Sequence, residues 1–303
     1  MDDTAASMLT AELAALRTGV GAVELARDVV RASGPDAATF LQGQLSQDVA
    51  GLAVASSAWT LLLEPQGRLT AWLRVTRTAD DAFLLDVEAG HAEAVVARLS
   101  RFKIRTRCEL DVLDGWRMVA LRGPGSSAVD LTDIAAEVVA DAGWPEPAGV
   151  DLVGPGVTTP AGVLRCSPLA YDIVRIEAGV PAMGHDLDER VIPAEAGIVE
   201  GSVSFTKGCY TGQELVARLD SRGGNVARRL RRLEVDGPAL PPRGAALVGA
   251  GGEVGRLTSV AATGAAGGGP AAVALGYVHR SVEPPASLVA RWDGGEAAVS
   301  VKG

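Results

Sequence analysis

From residue 228 onward, glycine and proline interrupt the chain so often that no long helix fits, and this constrains the fold more than any other feature. Five short stretches, 230–235, 245–248, 254–260, 272–278 and 287–292, are rich in small and branched apolar residues and alternate with turns. A row of short strands must close on itself or stack in two layers to avoid bare edges. The rhythm therefore predicts a small C-terminal β-barrel or sandwich over residues 227–303. Within it, 264–270 lacks the lysine and the serine or threonine of a phosphate-binding loop and is expected to be a hairpin loop.

Residues 1–226 mix helical and strand periods. Leu9, Leu13 and Leu16 fall on one face of a helix predicted over 7–17, and Gly34-Pro35-Asp36 opens a second helix carrying Phe40, Leu41 and Leu45. Strands are predicted at 59–64 and 68–76 around the turn Pro65-Gln66-Gly67, and again at 82–87 and 106–113, with a helix over 92–99. A helix is expected at 131–140, and the Gly- and Pro-rich stretch 143–162 reads as a long connection or subdomain edge. Ser167 as cap, Pro168 in the first turn and Gly179 after the end punctuate one more helix. Strands and helices without regular βαβ alternation predict the α+β class. A chain of 303 residues has room for two or three compact units. Aromatic residues make up only 4% of it, so the cores must be built from Ala, Val and Leu, with five Trp as large fillers.

The formal net charge of −9 argues against broad nucleic-acid binding, because a phosphate backbone would be repelled. The N-terminus is acidic and polar, with no basic segment ahead of an apolar one, and no apolar run reaches bilayer-spanning length. A cytoplasmic protein without membrane contact is expected. Cys108, Cys166 and Cys209 are odd in number and far apart, so neither a disulfide framework nor a short-spaced metal site is predicted. His91, His185 and His279 are equally scattered, and no metal site is expected from this chain alone.

The densest chemical signal is Lys207-Gly208-Cys209-Tyr210-Thr211-Gly212-Gln213-Glu214, which follows the apolar Val203 and Phe205 and runs into an amphipathic helix. A cysteine ahead of a helix N-terminus and two residues from a lysine is in surroundings that favour the thiolate. Such a thiolate serves as a nucleophile, a redox thiol or a soft metal ligand; by residue type alone, a small buried cysteine in a tight turn is the commoner case.

The octapeptide resembles the signature of the YgfZ-type folate-binding proteins, relatives of the glycine-cleavage T-protein. Segments elsewhere are similar to the same superfamily in the same order: Leu25 to Asp28 through Gly34 to Ala37, Phe40-Leu41 and Gln47 to Val49; Arg175 to Gly179 with Pro181, Gly184 and Asp186; and Gly255, Thr258-Ser259 and Ala274 to Val278. The resemblance implies two interleaved domains forming a folate channel, within 1–226 and with a break near 113–165, followed by the β-barrel. It implies tetrahydrofolate or a one-carbon derivative as cofactor, with Glu177 in the place of the pterin-binding glutamate and Arg218, Tyr210 and Gln213 as further folate contacts. Cys209, with Lys207, becomes the functional thiol, and the implied role is support of iron–sulfur enzymes, including tRNA-thiolating ones, through client or assembly proteins. Read without the resemblance, Glu177 is a solvated helix-end glutamate.

One departure bears on activity. Where aminomethyltransferases of this superfamily carry an acid pair, this chain has Thr70 and Ala71, neither of which supplies a carboxylate. Aminomethyl transfer is therefore not expected, although an active one-carbon transferase and a non-catalytic scaffold are the rival readings. Arg218, Arg222, Arg228, Arg229, Arg231 and Arg232 form a basic run that is either a solvated face or a dock for an anionic group.

Overall fold

A computed structural model describes residues 3–264 and 270–303. In chain order the elements are α1 (Asp3–Thr18), β1 (Gly21–Ser33), α2 (Ala37–Gln44), β2 (Ser57–Leu63), β3 (Leu69–Ala79), β4 (Ala82–Glu88), α3 (Ala92–Ser100), β5 (Glu109–Leu113), β6 (Arg117–Arg122), β7 (Val138–Asp141), β8 (Gly149–Gly154), β9 (Leu164–Arg165), α4 (Pro168–Glu177), α5 (Pro193–Ala196) and α6 (Gln213–Ser221). The C-terminal strands are β10 (Arg228–Asp236), β11 (Ala246–Gly249), β12 (Gly252–Ala262), β13 (Ala272–His279), β14 (Ala286–Trp292) and β15 (Gly295–Val301). Mixed helices and sheets with a closed barrel match the α+β expectation.

The long strand β1 organises the first sheet, whose order is β2-β3-β4-β1-β6-β8-β7. Residues 21–26 of β1 pair with β6, while its second half, from Arg27, pairs with β4 and β5. One strand thus serves two edges, and the sheet curls into a half-barrel. Strand alternation then sorts its residues. Phe83, Leu85 and Val87 of β4, with Ala71, Leu73 and Val75 of β3, are buried in the core shared with Leu41 of α2 and Val95 and Leu99 of α3. The alternate residues, Trp72, Arg74, Leu84, Asp86 and Glu88, face the other, concave side.

Strands β10 to β15 form a closed barrel in the order β10-β13-β12-β11-β14-β15, filled by Leu233, Val235, Leu247, Leu257, Ala274, Val299 and Val301. The sequence rhythm indicated five of these strands; the sixth, β15, completes the closure. Residues 265–269 of the hairpin loop expected at 264–270 lie outside the described residues. Helix α4 joins barrel and sheet. Ser167 caps it by accepting from the Ala170 N–H at 3.2 Å, and Ile173, Val174 and Ile176 pack with Leu13 and Leu16 of α1 and with Val273 and Leu275 of the barrel. Arg175 reaches Asp186 (3.0 Å) and Ser259 (3.1 Å), and the Tyr277 hydroxyl donates to the Asp186 carbonyl at 3.0 Å.

Two expectations require correction. No helix forms at 131–140: the Asp130 carboxylate accepts both the backbone N–H and the hydroxyl of Thr132, which turns the chain. The chain then extends as β7, with Val138 and Ala140 buried and Val139 and Asp141 exposed. The stretch 143–162 is not merely a connection, since it contains β8, the partner of both β6 and β7.

Candidate functional site

The concave face of the curled sheet carries a buried ionic network. Arg74 on β3 donates to Asp86 of β4 through Nε at 3.0 Å and to Asp151 of β8 at 3.0 Å. Arg27 of β1 adds a second guanidinium to Asp86 at 2.8 Å, and Arg122 of β6 a second to Asp151 at 2.8 Å. All five side chains are nearly inaccessible. Burial pushes the Asp151 carboxyl up, but Arg122 and Arg74 outweigh it and hold it below the ordinary carboxylate range. Three guanidiniums face two carboxylates here, and the Arg122 Nε–H is buried without a hydrogen-bond partner among the described residues. Such a network is poor as a stability device and is of the kind that builds a polar site.

Aromatic rings lie over the network. Trp59 and Trp72 stack with centroids 4.4 Å apart, and the guanidiniums of Arg27 and Arg74 lie 5.8 and 5.6 Å from the Trp59 ring. Each indole nitrogen has a partner: Trp59 donates to the Ala142 carbonyl at 3.0 Å and Trp72 to Ser202 Oγ at 2.9 Å. Trp144 covers Arg122 at 4.3 Å and meets Tyr171 of α4 at 5.3 Å. Trp59, Trp72, Glu88 and Tyr171 each keep partial exposure. A flat ring with polar edges would find stacking faces and both signs of charge here.

The octapeptide folds as a loop anchored on the opposite, α2 side of the sheet. The Lys207 ammonium donates to the backbone carbonyls of Gln42, Leu45 (2.7 Å) and Gln47 (3.1 Å), at the C-terminal end of α2. Burial pulls this lysine down to about 8, while three carbonyls that only accept, at the negative end of a helix, favour the charged form. Tyr210 is buried in the core, which pushes its hydroxyl up to about 12, and Gln213 folds back to accept the Tyr210 N–H at 3.1 Å. Gly212 and Gly67 have positive φ (+86° and +78°) where the loop crosses the β2–β3 turn; a Cβ on Gly212 would meet the Glu64 carbonyl at 2.5 Å. Cys209 remains exposed, four residues ahead of α6.

The expected site residues have these contacts. Lys207, expected beside the thiol, ties the loop to α2. Tyr210 and Gln213, expected on folate, hold the loop's own shape. Arg218 is exposed in the last turn of α6. Glu177 has both carboxylate oxygens on Arg17 of α1, one at 3.0 Å, in a groove lined also by Pro145, Pro147 and Arg232. Thr70 donates to Glu64 at 3.3 Å, and the neighbouring Arg98 and Arg101 take that acid's charge, while Ala71 is buried in the core. The basic run does not form one patch: Arg228 pairs with Glu195 over the Tyr277 ring, Arg229 bonds the Gly224 carbonyl, and Arg232 bonds that of Glu177.

The sequence reading missed the Arg27–Asp86–Arg74–Asp151–Arg122 network. The available signal was a charge set inside an otherwise apolar strand, Asp86 in Ala82–Glu88 and Asp151 in Gly149–Gly154. Among the described residues, no three His, Cys, Asp or Glu gather to hold a metal ion, and no helix is long and apolar enough to cross a membrane.

Residues 2–142 match the family model described as the GCVT N-terminal domain. The chain is 32% identical over 228 residues to a relative in Pyricularia oryzae named iron-sulfur cluster assembly factor IBA57 homolog, mitochondrial, covering 72% of this chain and 58% of the relative. It is 27% identical to the tRNA-modifying protein YgfZ of Edwardsiella ictaluri, over 65% of each chain. These matches thus span less than two thirds of each relative's length. Among solved structures, glycine cleavage system aminomethyltransferase T from Bartonella henselae covers 97% of this chain, with 88% of its own length matched, a TM-score of 0.76 and 23% identity. That likeness concerns the fold.

Proposed function

We propose that this chain, which belongs to the glycine-cleavage T-protein superfamily as a YgfZ-type member, binds tetrahydrofolate or a one-carbon derivative on the concave face of its first sheet and supports iron–sulfur enzymes. The carrying observation is the Trp59–Trp72 stack set over the buried arginine–aspartate network. A pterin offers a flat ring for the stack and polar edges for charged partners. Two of the relatives are named for iron–sulfur cluster assembly and for tRNA modification. In this reading the partners are iron–sulfur client or assembly proteins, with no direct nucleic-acid contact, and Cys209 is the functional thiol.

Cys209 is suited to that role by position. It is the exposed cysteine of the three, on a loop whose backbone is held by Lys207, Tyr210 and Gln213. A partner's reactive group could reach it without opening the core. Aminomethyl transfer is disfavoured, because Thr70 and Ala71 bring no carboxylate to the concave face and Glu64 is engaged by two arginines.

Titration with tetrahydrofolate, followed by indole fluorescence and calorimetry, tests the binding. Saturable quenching that is lost in Trp72→Ala supports the reading, and an absence of binding by the wild-type chain overturns it.

A further inference from the structure

The concave face holds one carboxylate that no guanidinium bonds among the described residues. Glu88, the last residue of β4, stands opposite Arg27 in the β1–β4 register. Arg27, however, gives its Nε to the Asp86 carboxylate and an NH2 hydrogen to the Asp86 carbonyl. Arg175 of α4 is taken by Asp172, Asp186, Ser259 and the Val180 carbonyl. The His91 ring, at the N-cap of α3, has its Nδ1 against the backbone carbonyls of Glu88 and Ala89. Among the described residues, the Glu88 carboxylate accepts one hydrogen bond, from the Met183 N–H to Oε2. Its Oε1 has no hydrogen-bond partner among the described residues.

The position of that oxygen is informative. Met183 also accepts the backbone N–H of Trp72 through its sulfur at 3.4 Å, so one residue links Glu88 to the strand that carries Trp72. Protein encloses Glu88 on nearly all sides, yet the residue is only partly buried, as Trp72 and Tyr171 are. An incompletely bonded carboxylate beside a partly exposed indole complements a flat heterocycle that presents two adjacent N–H donors. The aminopyrimidinone edge of a reduced pterin has that pattern, a ring N–H next to an exocyclic amine. Glu177 does not offer the same, since Arg17 occupies both its oxygens.

We propose that Glu88, and not Glu177, is the acid that pairs with the aminopyrimidinone edge of the folate, with the ring laid against Trp72. The assignment rests on the folate reading above and goes beyond it by naming the recognition residue. It carries a proton consequence. Burial pushes the Glu88 carboxyl above the ordinary range, opposed by Arg27, the Met183 N–H, Arg175 and His91, with the Tyr171 hydroxyl also near. Only the ionised form accepts both N–H donors, so ligand binding expels a proton wherever the free carboxyl is protonated.

The test is calorimetric titration of the full chain with tetrahydrofolate for wild type, Glu88→Gln and Glu177→Gln. Glu88→Gln is expected to lose about tenfold to a hundredfold in affinity, and Glu177→Gln to stay within about twofold. A loss confined to Glu177→Gln, or equal in both, overturns the assignment. No binding by wild type overturns the folate reading beneath it. Should Glu88→Gln fail to fold, wild type is titrated in steps from about pH 8 down to the acid limit of its folded range, in two buffers of different ionisation enthalpy. Proton release on binding supports the assignment, and its absence overturns it.

Discussion

The Lys207 ammonium lies 2.7 Å from the carbonyl oxygen of Leu45, and it donates as well to the carbonyls of Gln42 and Gln47. Its three hydrogens thus meet three acceptors at the C-terminal end of α2, where the helix leaves carbonyls unpaired and partially negative. The Thr211 N–H adds a bond to the Gly43 carbonyl at 3.0 Å. Together they make the Cys209 loop a terminal cap on α2, so that the exposed thiol stands on a backbone fixed from beneath.

Replacing Lys207 with Met should therefore act on stability. Three partly buried carbonyls would lose a charged donor, at a cost of about 2–3 kcal/mol after partial hydration. A urea titration should show a lower midpoint with an unchanged slope. Lys207→Arg should not recover the loss, because a planar fork does not reproduce three converging N–H bonds. A midpoint equal to wild type in Lys207→Met would rule out the anchoring role.

The ionic network makes an acid-side prediction. Asp151 has its carboxyl held low in the folded chain because Arg122 and Arg74 outweigh the effect of burial. A group whose folded value is depressed contributes stability above its unfolded value, about pH 4, and loses it as pH falls through the folded value. Asp151→Asn should thus be less stable at neutral pH and should show a shallower decline below about pH 4. Arg74→Met, which leaves Asp86 and Asp151 each short of a buried partner, should cost about 3–5 kcal/mol. Denaturant titrations from pH 7 down to about pH 3 check both, and parallel pH curves for wild type and Asp151→Asn would contradict the first.

Much of this fold was legible because local signals agreed with the tertiary answer. The Ser167-Pro168 start and Gly179 stop of α4 are local chemistry, and so are the turns of the barrel. The stretch at 131–140 was misread because its apolar spacing suits a helix, while the Asp130–Thr132 turn and pairing with β8 decide otherwise. Strand β1 escaped notice because Glu24, Arg27, Asp28 and Arg31 interrupt its apolar pattern, and the buried Arg27 is neutralised only by Asp86, far away in sequence. For the same reason the candidate site was half visible. A compact motif such as the octapeptide can be read in one dimension, whereas the partners of Glu177, Lys207 and Arg74 are set by contacts distant along the chain.

Assayed with the glycine-cleavage carrier protein, the chain should not transfer aminomethyl groups. The position that would hold a carboxylate is Thr70, whose hydroxyl bonds Glu64, and Glu64 in turn faces Arg98 and Arg101. An acid so neutralised is a weak base for the reaction. Turnover comparable to an aminomethyltransferase assayed alongside would refute this and restore the transferase reading.

Thiol chemistry separates the three cysteines. Burial pushes the Cys166 thiol up to about 11, with Glu12 adding to it, and burial likewise raises Cys108. At pH 8 a thiol titrating near 11 is ionised about one part in a thousand, and both side chains are also shielded from reagent. Cys209 is exposed, so a small alkylating reagent should modify one equivalent per chain between about pH 7 and 8, and none in Cys209→Ser. Because Cys209 makes no core contact, Cys209→Ser should keep the unfolding midpoint and the tetrahydrofolate affinity of wild type. If the thiol does the work, that variant should nevertheless fail to restore iron–sulfur enzyme activity in cells lacking this protein. Full restoration would make Cys209 a bystander and move the function to the concave face alone.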